Sequence, residues 1–580
     1  MKDKKTSKIG LELAKAMIKH QSRSLFLILF FTILSSTCLS IGIYLDKKVV
    51  DSIQKLEVER FLLYLILGFG LEILFAFVSN QLEVRKIDFS YATSMEFTKT
   101  VIEKMKRISF EVLEDRKNLD CIERVYSLSE EFSKSVELCF QLFSKTTLII
   151  SYAVVLGAVV WYFPIVIIVF AFPYFYLLKV QGMERYRQEV EVSTDTRKVS
   201  YLFQLLSERE YQKEIKTFHL TKYLSDKYFV LREKLWRKRK KLLVRHSFMM
   251  VFVTLIKNIS FLICITITCI LVIRKETTIG SFLILMSAID GLRNSTIEIL
   301  DIFGEYYEKG IHIKDIDEFL LFPEEYVEQG KKIKDKTIKI ENLSFSYPHS
   351  KKSVINNIST TIYSNEIVAI VGENGSGKST FLHLLLGLYQ PKNGTIWIGD
   401  NPLQEVIKDM REKTGCLLQH FNRYQGTIEE NLVGNKQLTM KDKEKVKGLL
   451  DFVEMLPKQW NTSLGQLEED GIDLSGGNWQ RIALARALLK KDSEFLVLDE
   501  PVSAFDPKVE NIVNEQIRTF CKNKTAILIS HRLSVTRVCD RILVFDNGQI
   551  VEDGTHDELM EKHGEYYTMY MAQQSLYKTE

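Results

Sequence analysis

Ten consecutive residues, Val371-Gly372-Glu373-Asn374-Gly375-Ser376-Gly377-Lys378-Ser379-Thr380, have the types and spacing to hold a phosphate chain. The glycines let the backbone curl until successive amides converge on anionic oxygens. Lys378 adds a mobile positive charge, and the Ser379 hydroxyl is a hard ligand suited to Mg²⁺. Downstream, Glu494-Phe495-Leu496-Val497-Leu498-Asp499-Glu500 is an apolar run that ends in two carboxylates. Asp499 is placed to hold Mg²⁺ through water, and Glu500 to orient and polarise an attacking water. A third stretch, Leu474-Ser475-Gly476-Gly477, precedes the helical run from Ile482 to Leu488. A serine and two glycines opening a helix make a second anion-binding nest. The three stretches imply hydrolysis of a nucleoside triphosphate, and two nests in one domain imply a nucleotide sandwiched between two copies.

Secondary structure must bring these stretches together. Ile367-Val368-Ala369-Ile370 reads as a strand and Phe381 to Leu386 as a helix, the strand–loop–helix setting that a P-loop requires. A strand covered on both faces reads as one apolar run, and ligands gather at the carboxyl ends of such strands. The run before Asp499 fits this rule, as does Thr525 to Ile529 ahead of His531.

At 580 residues the chain is too long for one core. A net charge of +4 is too small to argue for nucleic acid, and none is expected as a partner. The eight cysteines include no CxxC pair, which points to reduced, scattered thiols rather than a zinc site or a disulfide framework. Long apolar runs lie at about 24–45, 61–79, 146–162, 164–179, 246–273 and 281–303, and six membrane spans are expected. Trp161-Tyr162-Phe163-Pro164 separates the third from the fourth. Residues 1–23, with seven Lys/Arg against two acids, suit an uncleaved amphipathic helix on the membrane surface. An even span count puts both ends of the chain on the side of this basic segment. The charged, helix-periodic loops of about 65 residues after spans two and four predict membrane helices that continue as rods. Glu72, Lys257, Asp290 and Arg293 are ionisable residues inside spans, hence cavity candidates, with Asp290 and Arg293 one turn apart and able to pair. The expected organisation is a membrane domain over 1–320, a polar linker over 321–336 and a separate domain over 337–580.

Together the motifs resemble the ATP-binding cassette family, and the whole chain resembles an exporter-type half-transporter. The resemblance implies an α-helical six-span transmembrane domain of the type IV exporter kind, fused to an α/β P-loop cassette. It implies that Tyr347 stacks on adenine, that Gly372 to Thr380 cradle ATP, and that Gln419 joins Ser379 and Asp499 in sensing Mg²⁺. Ser475, Gly476 and Gly477 would close over a partner's γ-phosphate, and Asp506, in Ser503-Ala504-Phe505-Asp506, would lie in the loop crossing the dimer axis. His531 would hold the γ-phosphate beside the catalytic Glu500, with Lys378 and Gln419 completing the catalytic set. Asn478 and Phe505 depart from the family's usual glutamine and leucine, and neither removes a catalytic group. The implied protein is a multi-pass ATPase of the cytoplasmic membrane, its amino terminus and cassette in the cytoplasm, paired with a second half-transporter in a homodimer or a heterodimer. The segments Ser109 to Arg124, Glu208 to Phe218 and Gly476 to Gln480 are similar to lantibiotic and modified-peptide exporters. The roughly 23 residues before the first span leave no room for a peptidase domain. A lipid or multidrug exporter of the same architecture and an ATP-gated regulator are the alternative readings.

Overall fold

The computed structural model describes residues 21–309, 312–325, 331–348, 350, 352–434, 437–450, 460–503, 505 and 507–577. Most of the expected amino-terminal amphipathic helix, part of the expected linker, and Asp506 lie outside them. Side-chain facts for Lys257 also fall outside the description. The chain forms two compact units: residues up to Arg107 with Arg116–Phe322, and Ile108–Asp115 with the residues from Pro323 onward.

Among the described residues, the regular elements of the first unit are all helices. Its members are α1 (Ser22–Gln54), α2 (Val58–Met105), α4 (Arg116–Gly157), α5 (Phe163–Ser207), α6 (Arg209–Thr217), α7 (Thr221–Ile273), α8 (Ile279–Lys309) and α9 (His312–Leu320), while α3 (Phe110–Glu114) belongs to the second unit. At 53 residues α7 is roughly 80 Å long, against a hydrocarbon core of about 30 Å, so most of it extends past any bilayer as a rod. By length and composition, five described helical stretches are apolar enough to cross a membrane: α1, α2, the second half of α4, Phe163–Arg185 of α5, and α7. The expected sixth span is continuous helix in α8. It carries Asp290, Arg293, Glu298 and Asp301, however, and these charges keep it out of that group.

Packing follows the sequence locally. Helix α4 ends at Gly157, a few residues before the expected break, and Pro164 sits in the first turn of α5, where its missing amide has no partner to lose. Leu156, Phe163, Leu285, Ile289 and Leu292 form a fully buried seam between these helices and α8. Gly291 makes room in that seam, since a Cβ there would lie 2.4 Å from the Tyr152 ring. Ser and Thr hydroxyls satisfy themselves within the bundle, as in the 2.8 Å bond between Ser36 and Thr147.

In the second unit, β1 (Ile338–Phe345), β2 (Ile355–Ile362), β4 (Asn393–Ile398) and β5 (Asn401–Pro402) form an antiparallel sheet in the order β2-β1-β4-β5. The main sheet runs β10-β9-β3-β8-β7-β6, built from β3 (Ile367–Gly372), β6 (Thr414–Leu417), β7 (Phe495–Asp499), β8 (Thr525–Ile529), β9 (Arg541–Asp546) and β10 (Gln549–Gly554). Strands β6, β7, β8, β3 and β9 are parallel, and β10 closes the edge antiparallel to β9. Strands β3, β7 and β8 are buried at every position, as their unbroken apolar runs require. The helices of this unit used below are α10 (Lys378–Leu385), α11 (Gly476–Leu488) and α12 (Glu565–Tyr577).

Candidate functional site

The loop between β3 and α10 gets its shape from its glycines. Gly372 has φ 147°, and a Cβ there would meet the Phe545 carbonyl oxygen of β9 at 2.1 Å. Gly377, at φ 105°, opens α10 in a left-handed conformation. Ser376, Lys378 and Thr380 are buried, whereas Glu373, Asn374 and Gly375 stay exposed. The Lys378 ammonium donates to the carbonyl oxygens of Gly372 at 2.8 Å and Glu373 at 2.6 Å. Burial pulls its pKa down, and the charges of Asp499 and Glu500 act in the opposite direction.

Parallel pairing of β3, β8 and β7 brings the other groups to the same edge. Asp499 closes β7, where burial pushes its carboxyl up to about 6 against the hydrogen bond from Ser379. Its Oδ1 is buried with no hydrogen-bond partner among the described residues. An oxygen so placed, with a serine hydroxyl on the same carboxylate, fits a hard cation such as Mg²⁺. Glu500, one residue on, has φ 52°, an uncommon conformation that turns its carboxylate out of the strand. That carboxylate takes the His531 Nε2 at 2.8 Å and the Gln419 Nε2 at 3.4 Å on one oxygen. Lysine, serine, both acids, glutamine and histidine therefore meet at one end of one sheet. The cluster is equipped to bind a phosphate chain and to hold a base beside it.

Residues 355–503 match the ABC transporter family model. Over 412 residues the chain is 30% identical to the nisin transport ATP-binding protein NisT of Lactococcus lactis subsp. lactis, spanning 68% of each protein. This chain belongs to the ABC transporter family. It is also 28% identical over 563 residues to the subtilin transport ATP-binding protein SpaT of Bacillus subtilis, covering 93% of this chain and 90% of that one. A solved bacterial Atm1-family ABC exporter with ATP bound shares the fold, with a TM-score of 0.79 at 20% identity over 96% of this chain and 99% of that one. The molecule is thus a multi-pass membrane ABC exporter with the fold of a half-transporter, and its ATPase is coupled to transport.

Not every expected residue of the transporter joins the cluster. Ser475 caps α11 by accepting from the Asn478 amide at 3.3 Å, and no hydrogen bond links it to the P-loop among the described residues. Gly476 beside it is exposed, with nothing within 4 Å of a built Cβ. Tyr347 is half-buried, and its hydroxyl shares a 2.9 Å bond with Thr380. Its ring meets Tyr389 edge to face at 5.3 Å. Phe505 is buried in the core, with the Arg481 guanidinium 5.1 Å above its ring.

Three supporting residues escape a motif reading. The buried Gln480 donates from Nε2 to the Glu500 carbonyl at 2.7 Å and to the Ser503 hydroxyl at 3.0 Å. Arg532 ties the same loop down through the carbonyl oxygens of Ser503 and Phe505 and through Glu510. Tyr389 packs edge-on against Phe110 of α3 at 5.6 Å and donates its hydroxyl to Glu114. The Gln390 backbone amide adds to this contact by donating to the Glu111 carboxylate at 3.1 Å. Gln480 and Arg532 each follow a recognised motif residue in sequence, which was the available signal. Tyr389 and Glu114 had none. Behind His531, Gln573 of α12 donates to the His531 carbonyl and accepts from the Leu533 amide at 3.0 Å.

Proposed function

We propose that the chain pairs with a second copy of itself and exports a peptide, of the modified bacteriocin-like kind, across the cytoplasmic membrane, using Mg·ATP. The membrane domain over 1–320 spans the bilayer, and the domain over 337–580 lies in the cytoplasm with the amino terminus. The peptide reading is supported by the two relatives named for nisin and subtilin transport.

One observation carries the mechanism: the Glu500 carboxylate is oriented by His531 at 2.8 Å and Gln419 at 3.4 Å, beside the P-loop lysine's strand end. Loop amides from Gly372 to Thr380 and the Lys378 ammonium receive the β- and γ-phosphates, while Tyr347 takes the adenine edge of the site. Ser379, Gln419 and Asp499 are the residues that would hold Mg²⁺, which neutralises charge on the phosphate oxygens when bound. Glu500 accepts the proton of the attacking water, and His531 keeps the carboxylate in place and faces the γ-phosphate. Ser475 and Gly476 are exposed at the start of α11, and with Gly477 they serve the triphosphate of the other copy. Asp506 completes the loop at that interface. ATP favours the paired state of the two cassettes, closure turns the cavity outward, and hydrolysis returns it.

The test is Glu500→Gln, which keeps ATP binding and lowers phosphate release by about 10²- to 10⁴-fold. Turnover near the wild-type rate would remove Glu500 from its role. Inside-out vesicles should accumulate a modified peptide in an ATP-dependent way, and accumulation of a lipid or dye instead would overturn the cargo reading.

A further inference from the structure

The helical unit holds a second charged concavity that takes no part in the nucleotide chemistry. A cavity of about 500 Å³ lies between α2, α4 and α8, with Glu83, Glu137, Glu298, Asp301 and Glu305 on its walls. Lys86 and Lys145 are the basic groups there, and Lys145 is already paired with Glu298. An adjoining cavity of about 300 Å³, between α5, α7 and α8, shares Asp301 and Glu305 and adds Arg185. Carboxylates thus outnumber basic groups around the two cavities. Glu83 lies four residues past the expected second span, and Glu298, Asp301 and Glu305 follow one another along the carboxyl-terminal half of α8.

Gln181 is what marks this space as a binding site. It lines the second cavity, is only 5% exposed, and its Nε2 has no hydrogen-bond partner among the described residues. A buried amide donor left unmatched is costly, and such a group calls for an acceptor from elsewhere. The excess of carboxylates over basic groups favours a cation, even with Glu298 paired to Lys145 and Asp301 accepting from the Tyr174 hydroxyl, and the low dielectric beside a bilayer strengthens that preference.

We propose that the two adjacent cavities together bind a cationic segment of the cargo peptide, with the carboxylates facing a lysine or arginine side chain and Gln181 donating to a peptide carbonyl. This rests on the peptide-export reading and narrows it to basic peptides. A neutral lipid or dye supplies neither the charge nor the carbonyl in this combination.

The experiment uses the full chain in nanodiscs without nucleotide, titrated with a fluorescein-labelled lysine-rich peptide and with the same peptide after acetylation of its lysines. Acetylation should weaken binding at least about tenfold, and added salt should narrow the gap. Glu305→Gln and Glu137→Gln should each weaken the lysine peptide and leave the acetylated one unchanged. Gln181→Leu should weaken both peptides. Equal binding of the two peptides to the wild-type chain overturns the charge assignment, needs no variant, and leaves the peptide reading standing. Failure of both to bind overturns the two together. Charge-dependent binding without ATP-driven accumulation in vesicles supports the assignment and overturns export alone.

Discussion

Two pairs of neighbouring charges show how differently the two units make use of ionisable residues. At the end of β7, Asp499 and Glu500 are adjacent in sequence, yet the backbone sends one carboxylate into the P-loop and turns the other toward His531. In α8, Asp290 and Arg293 lie one turn apart and pair at 2.5 Å along their own helix, with the guanidinium 4.6 Å above the Phe261 ring. The strand end fixes position through backbone pairing on both sides, so each group has one place to be. The helix offers only a face and a spacing, and its charges settle through side-chain partners that can be exchanged. Rigid preorganisation suits a reaction whose geometry never changes. Exchangeable pairs suit a wall that must receive varied contacts.

Substitutions can break or sharpen this contrast. The largest effect belongs to Gly372→Val, because the new side chain would collide with the Phe545 carbonyl in a region of φ that valine avoids. It should cost more than about 4 kcal/mol and abolish ATP binding, read by thermal unfolding and nucleotide titration. Gln480→Leu comes next. It strips the donor from the Glu500 carbonyl, so kcat should fall about tenfold, with a loss of about 1–3 kcal/mol in stability. A kcat unchanged by that substitution would mean that the strand end holds Glu500 without help. Arg293→Met should lower stability by about 1 kcal/mol, and the charge-swapped double variant Asp290→Arg/Arg293→Asp should recover it, consistent with an exchangeable pair. A swap that recovers nothing would place α8 with the rigid class.

The smallest effect is a pH dependence. Burial holds His383 of α10 below its ordinary value of 6.5, against the charge of Glu114. As pH falls through 6.5 the unfolded chain takes up a proton that the folded one resists, so stability declines on acidification. His383→Gln should flatten the melting temperature between about pH 7 and pH 5.

What could be read from the residues alone tracks the same contrast. The P-loop, the acidic end of β7 and His531 are contiguous stretches in which local spacing dictates backbone shape, and the parallel sheet then gathers them. Gln480 reaches Glu500 from 20 residues away, and Tyr389 reaches Glu114 across 275 residues. No local pattern encodes such meetings, which depend on how elements dock. The early end of α4 at Gly157, and the further charges Glu298 and Asp301 on α8, were hidden for another reason. Hydropathy records how apolar a run is and says little of where its helix stops or which side its charges face. The acidic cavity was illegible because its five carboxylates come from three helices far apart in the chain.

The last helix has a practical bearing on how this exporter is handled. Gln573 grips both the His531 carbonyl and the Leu533 amide, and Tyr566 buries its ring nearby with its hydroxyl on Thr536 at 2.7 Å. Peeling that helix away would slacken the hydrolytic loop from behind without touching the fuel pocket. On the proposed mechanism, an antibody fragment that pulled this helix away would slow turnover through His531.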